Sequence, residues 1–304
     1  MRSNSNSRRN SRRYEPHAGP AGTDEDWAVR PDTRRSGAVE WRPSWLDAGT
    51  HRIPVRIYRP GPRSYGWLVW AHGGSWQAGA VEHWHGPVMD LAKASGCTVV
   101  STGYRLAPGY RHPAQLEDVL TTLAWAGEQA ADGEPLAVGG DSAGGTIAAC
   151  AALARRDRDQ PLAAQVLAYP PLDPDCAAAS YTSEPGAFPA AEDLRLAWEM
   201  YRGGVETAVR GGTPLYSTPL AAERLDGLAP AVLAVGELDP VRDDVREYAR
   251  LLREAGNAVW LKTFPGTPHA AFLAAGGPGA GNPGLRRWLG AALREQLEAR
   301  KETP

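Results

Sequence analysis

The stretch Gly140-Asp141-Ser142-Ala143-Gly144-Gly145 decides how this chain folds. It follows an apolar run, Pro135-Leu136-Ala137-Val138-Gly139, and opens into an alanine-rich segment from Thr146 to Ala154. The order is strand, sharp turn, helix, with a G-x-S-x-G pattern at the turn. A serine in that turn must take a strained backbone conformation that lifts its hydroxyl clear of the sheet. Flanking glycines leave room for the helix to come close. The first amides of the helix then face any negative charge that develops beside the serine. Ser142 is therefore the candidate nucleophile, and the amide of Ala143 a candidate oxyanion donor. Alone the pattern is weak, because Gly, Ser and Ala are common in turns; the strand before it and the helix after it give it weight.

Upstream, Trp67-Leu68-Val69-Trp70-Ala71 runs as a buried strand into His72-Gly73-Gly74-Ser75-Trp76. Two glycines after a strand let the backbone turn its N–H groups toward a cavity, so Gly73 and Gly74 are candidate oxyanion donors. Downstream, the strand Ala231–Gly236 leads into Glu237-Leu238-Asp239-Pro240, and Val259–Phe264 leads through Pro265-Gly266-Thr267-Pro268 to His269. Both segments deliver a side chain to the C-terminal edge of a parallel sheet, where open α/β sheets place their sites. A serine hydroxyl needs a base near neutral pH, and an imidazole can take its proton and return it to a leaving group. Ser142, Asp239 and His269 form the candidate triad, with Asp239 holding the imidazole tautomer. Glu237, Asp243 and Asp244 are expected instead to complement the dipole of a helix starting near Val241.

Five motifs occur in order: His72-Gly73-Gly74, Tyr104-Arg105-Leu106-Ala107-Pro108 with Leu116-Glu117-Asp118, Gly140 to Gly145, Asp239-Pro240-Val241-Arg242-Asp243, and His269. On these the chain, from about residue 50 onward, resembles the hormone-sensitive-lipase-like (bacterial family IV) carboxylesterases of the α/β-hydrolase fold. The resemblance implies an α/β-hydrolase fold: a mostly parallel central sheet with helices on both faces and a helical cap. It also implies cleavage of carboxylic esters with short to medium acyl chains through an acyl-enzyme on Ser142, with no cofactor. Ser75 stands where a third glycine is usual, Gly109 where a glutamate is frequent, and Thr146 where an asparagine is frequent. Ser75 and Trp76 border the oxyanion loop; with Trp198 they are the expected pocket residues, and Trp45 is a further candidate. The His-Gly-Gly-x-Trp-Gln wording is also similar to kynurenine formamidases, but Tyr104 to Pro108 and the Gly-Asp-Ser turn fit the esterases better. Amide or N-acyl hydrolysis, or acyl transfer on a secondary metabolite, uses the same constellation. A hydrolase fold kept as a non-catalytic receptor is the third alternative, and would be expected to lose a triad member.

The chain has 304 residues and a net charge of −2. That size suits one α/β domain with insertions. The apolar segments Trp67–Ala71, Thr98–Ser101, Leu136–Gly139, Ala164–Ala168, Ala231–Val235 and Val259–Thr263 alternate with helical stretches, as a mostly parallel sheet requires. His51 to Tyr58 reads as an antiparallel edge strand. Residues 1–22 are read as a disordered tail, since Met1 to Arg13 has no apolar residue beyond the initiator. Residues 23–304 are expected to form the single domain, and the resemblance implies a cap drawn from about 23–48, which carries Trp27, Trp41 and Trp45, and from 173–219. The absence of a basic stripe argues against nucleic acid, and no run is long enough for a membrane span. The expected partner is a small-molecule ester or acylated metabolite; a homodimer stays open, and the cytoplasm is the expected location. Cys97, Cys150 and Cys176 have no metal spacing. His83 and His85 sit at i, i+2 without an acidic or thiol partner, so no metal is expected. Arg105 and Asp118 are expected to be a structural ion pair that braces a turn.

Overall fold

The computed structural model describes residues 34–36, 38–183, 186–273 and 282–302; the tail at 1–22 and Trp27 lie outside them. Strands β1 (Arg34–Ser36), β2 (Val39–Asp47), β3 (Arg52–Arg59), β4 (Trp67–Ala71), β5 (Thr98–Thr102), β6 (Leu136–Asp141), β7 (Ala164–Ala168), β10 (Ala231–Gly236) and β11 (Val259–Phe264) make one sheet, in the order β1-β2-β3-β5-β4-β6-β7-β10-β11. From β5 to β11 every pairing is parallel, whereas β1, β2 and β3 pair antiparallel. The helices are α1 (His85–Ser95), α2 (Ala114–Gln129), α3 (Ala143–Asp157), α4 (Ser180–Ser183), α5 (Ala191–Arg202), α6 (Arg242–Glu254) and α7 (Pro283–Glu302).

The inner parallel strands β4, β5, β7 and β10 are buried along their whole length, which is why they read as continuous apolar runs, whereas β11 at the edge alternates between half-buried and exposed residues. Strand order reverses at β4, whose neighbours are β5 and β6. Right-handed crossovers then send α1 to one face and α2, α3 and α6 to the other. Helix α7 returns to pack on α1. The reversal opens a crevice at the C-terminal ends of β4 and β6, the topological switch point.

Two expectations are corrected. Residues 39–47 are not cap: β2 pairs with β3 along its length, from Glu40 opposite Arg59 to Asp47 opposite Arg52. For the same reason β3 is not an edge strand, since β2 and β1 lie outside it. The segment 173–219 does leave the alternation of strands and helices. It carries α4, α5 and an antiparallel hairpin of β8 (Thr207–Arg210) and β9 (Thr213–Tyr216), so it is not wholly helical.

Helix α3 comes unusually close to the sheet. A Cβ on Gly144 would lie 2.2 Å from the Ala71 carbonyl oxygen and 2.4 Å from that of His72. Gly144→Ala should therefore lower stability by about 1–3 kcal/mol, the usual cost of overpacking. Chemical denaturation measures it; an unchanged midpoint would show that the helix can withdraw freely.

Candidate active site

The chain must pass from extended β6 to helical α3 within one residue, and that residue is Ser142, at φ 49° and ψ −125°. Few side chains are tolerated there, and the neighbours hold it in place. The Ser142 amide donates to Ala168 of β7 at 2.9 Å, and the Thr146 hydroxyl donates to the Pro171 carbonyl at 2.6 Å. The serine hydroxyl is thereby turned toward His269, with Oγ 2.9 Å from Nε2. Nδ1 of the same ring lies 2.9 Å from both carboxylate oxygens of Asp239. Asp239 is fully buried and also accepts the Val241 amide at 3.0 Å, at the start of α6. The predicted serine, histidine and aspartate thus meet as one hydrogen-bonded chain.

The competing acids have other partners. Glu237 accepts the Gly266 amide at 2.8 Å, tying the acid loop to the histidine loop. Asp243 accepts the Ser180 amide at 3.1 Å. Asp244 accepts the amides of Leu172 and Asp173 and the Tyr181 hydroxyl, at 2.8 to 3.0 Å. Both do sit in the first turn of α6, but their side chains also anchor the root of the insertion.

Beside Ser142, Ala71 of β4 pairs with Gly140 of β6, so the loop from His72 starts against the turn that carries the serine. His72 is buried; desolvation pushes its pKa down to about 4, so the ring is neutral and its Nδ1–H donates to the Gly73 carbonyl at 2.7 Å. The Tyr104 ring stacks on it and the Tyr104 hydroxyl donates to the His72 carbonyl at 2.8 Å, while the Ala107 amide donates to the Trp76 carbonyl at 2.9 Å. The Tyr-Arg-Leu-Ala-Pro turn therefore holds both ends of the loop. Asp118 in turn holds that turn, accepting the Arg105 amide at 2.8 Å, its Nε at 3.0 Å and His51 Nε2 at 2.8 Å.

Asp141 carries a role that the sequence reading left unassigned. Its carboxyl lies behind the loop and accepts the indole N–H groups of Trp70 at 3.1 Å and Trp84 at 2.9 Å. The Gly73 amide also faces it and favours its charged form, yet burial outweighs these donors and pushes the pKa up to about 7. Gly73 is thus partly engaged inside the protein, whereas the amides of Gly74 and Ala143 donate to no acceptor among the described residues.

Trp76 and Trp198 are both buried, with ring centroids 4.4 Å apart, and Tyr201 stacks on Trp76 at 4.6 Å. They join the loop that follows β4 to α5. Trp45, by contrast, is on β2, separated from β4 by β3 and β5. His85 packs its ring on Trp41 at 4.4 Å, and its Nδ1 lies 3.1 Å from the Tyr58 hydroxyl oxygen. No helix among the described residues is long and apolar enough to cross a membrane.

Residues 68–273 match the family model described as alpha/beta hydrolase fold. The chain belongs to that family, in its hormone-sensitive-lipase-like group. It is 39% identical over 233 residues to a carboxylesterase of Mycobacterium tuberculosis, covering 73% of this chain and 72% of that one. It is 35% identical to an ethyl acetate hydrolase of Pseudomonas putida, over 72% of this chain and 71% of the relative. A solved bacterial heroin esterase superposes with a TM-score of 0.73 at 32% identity, over 86% of this chain and 85% of its own. Against the motif of this hydrolase family, Ser75 departs most visibly, and it holds a left-handed backbone at φ 52° where glycine is at ease.

The elevated pKa of Asp141 has a consequence for stability. An unfolded aspartate titrates near pH ~3.9. Between about 4 and about 7 the folded state keeps a proton that the unfolded chain has lost, so stability falls as pH rises through this window and levels above it. Asp141→Asn should flatten that slope in unfolding free energy measured at several pH values. An equal slope in variant and parent would assign it to other groups.

Proposed function

We propose that this carboxylic-ester hydrolase acts on small-molecule esters through an acyl-enzyme on Ser142. The observation that carries the reading is the continuous chain from Ser142 Oγ through His269 to buried Asp239, with the serine in its strained turn. Ser142 Oγ attacks the ester carbonyl as His269 Nε2 takes its proton. Asp239 holds Nδ1–H and stabilises the imidazolium. The oxyanion falls to the amides of Gly74 and Ala143, with Gly73 helping as far as Asp141 releases its amide. His269 then protonates the departing alcohol, and water, activated by the same imidazole, cleaves the acyl-enzyme. Short to medium acyl chains suit the loop, because Trp76, Trp198 and Tyr201 already fill the space beside it. The names carried by relatives, carboxylesterase and ethyl acetate hydrolase, point the same way.

Ser142→Ala and His269→Ala should each abolish most turnover, and the double variant should be no worse, because the two act as a unit. Asp239→Asn should lower kcat on the order of 10⁴-fold by favouring the wrong tautomer. A fluorophosphonate probe should label the parent protein and not Ser142→Ala, with circular dichroism confirming the fold. Near-normal hydrolysis by Asp239→Asn would displace the acid assignment.

Ser75→Gly should relax the loop backbone and chiefly change acyl preference, by about 1–3 kcal/mol between acetyl and hexanoyl esters. A uniform fall in kcat of roughly 10²–10³ would instead give Ser75 a place in the oxyanion hole.

A further inference from the structure

The insertion reaches the triad through an aromatic side chain that the sequence reading passed over. The ring of Phe188 stands edge-on to the His269 imidazole, with centroids 5.9 Å apart and planes at 63°. Tyr169 makes a similar contact from another side, at 4.8 Å and 62°. The two differ in their surroundings. Tyr169 is sealed in the core, its hydroxyl oxygen accepting the Phe272 amide at 2.7 Å, whereas Phe188 is 67% exposed. A phenyl ring that touches a catalytic imidazole and otherwise meets water is an apolar surface placed at the reaction centre without protein cover.

Its position is set from the root of the insertion. Asp244 holds the amides of Leu172 and Asp173 and the Tyr181 hydroxyl. The Ser180 hydroxyl donates to the Pro240 carbonyl at 2.6 Å, and Arg242 donates to the Ser183 hydroxyl oxygen at 2.9 Å. These bonds fasten residues 172–183 to the turn that follows Asp239. The chain that carries Phe188 therefore departs from a fixed point beside the acid–histidine pair.

The chemistry of the proposed reaction says what meets this ring. A bond forms between Ser142 Oγ and the acyl carbon, and the serine proton moves to His269 Nε2. As the C–O bond to the alcohol breaks, its electron pair stays on the alcohol oxygen, which receives that proton from Nε2. The alcohol half of the ester thus lies against His269, while the acyl half lies past the oxyanion loop. We propose that Phe188 is a specificity-determining residue that packs on the alcohol half of the substrate and selects esters of aromatic alcohols over those of small alkyl alcohols. The assignment rests on the ester-hydrolase mechanism given above. An aromatic group covers the exposed ring and adds an offset or edge-to-face contact, which a two-carbon alkyl group cannot supply.

The test compares benzyl acetate with ethyl acetate, which share the acyl group and release alcohols of similar acidity. Phe188→Ala and Phe188→Leu should each lower the benzyl-to-ethyl ratio of kcat/KM about five- to tenfold, mostly through KM. Phe188→Tyr should keep the ratio, and the acetyl-to-butyryl ratio for benzyl esters should not move in any variant. An equal loss on both acetates in Phe188→Ala would overturn the proposal, because the ring would then only shield the imidazole. An unmoved ratio would overturn it as well. Failure of the mechanism itself looks different: a parent protein that takes the fluorophosphonate yet cleaves neither acetate would overturn both readings.

Discussion

The approach of α3 to the ends of β4 and β6 is the constraint on which the rest of the site depends. Gly144 faces the carbonyl oxygens of Ala71 and His72, and Gly140 faces the backbone of Gly144, with no room for a side chain at either position. Because the helix begins so near the strands, the turn between them is a single residue, and Ser142 absorbs it at a backbone conformation worth about 1–3 kcal/mol of strain. That strain is useful because it is directional. It projects the hydroxyl toward His269 and leaves the Ala143 amide, the first of the helix, without an acceptor among the described residues. The direction of the Ser142 hydroxyl and the opening of the Ala143 amide are therefore products of one packing contact.

The loop from His72 to Trp76 carries a similar tension. Gly74, Ser75 and Trp76 all have positive φ, at 114°, 52° and 60°. Only glycine adopts such angles freely, so the run persists because both ends are hooked, at the His72 carbonyl by Tyr104 and at the Trp76 carbonyl by Ala107. Asp141 holds it from behind, and there two opposing effects are visible in one group. Burial disfavours the carboxylate, while two indole N–H groups and the Gly73 amide favour it; burial wins, leaving a carboxyl poised near neutrality in the residue before Ser142.

Much of this was legible before any coordinates. Fully buried parallel strands and a Gly-rich elbow leave strong local traces, and the spacing of strand ends located Ser142, Asp239 and His269 correctly as neighbours in space. The segment at 39–47 was misplaced because its tryptophans argue only against a linker, and the family resemblance put it in the cap. Pairing with β3 is a non-local property, and it leaves the neighbouring strand's alternation unchanged whether that strand lies at the edge or one place inside. Asp243 and Asp244 looked like ordinary first-turn acids, and their bonds to residues more than 60 positions away have no local signature. Phe188 is one aromatic residue in a Pro- and Gly-rich stretch, so nothing in its surroundings marked it.

Those long-range bonds also fix the base of the insertion. The Thr218 hydroxyl donates to the Leu172 carbonyl at 2.5 Å, fastening the end of the insertion to its beginning. β9 packs on α3, and Asp244 holds the root to α6. A loop closed at its base can differ in length or content between those points at small entropic cost, since closure entropy grows only logarithmically with length. The base itself is shared with the turn that follows Asp239, where Ser180 and Ser183 bond to Pro240 and Arg242. The insertion is in this way fastened at its base, and it reaches the histidine loop where the ring of Phe188 meets the edge of His269.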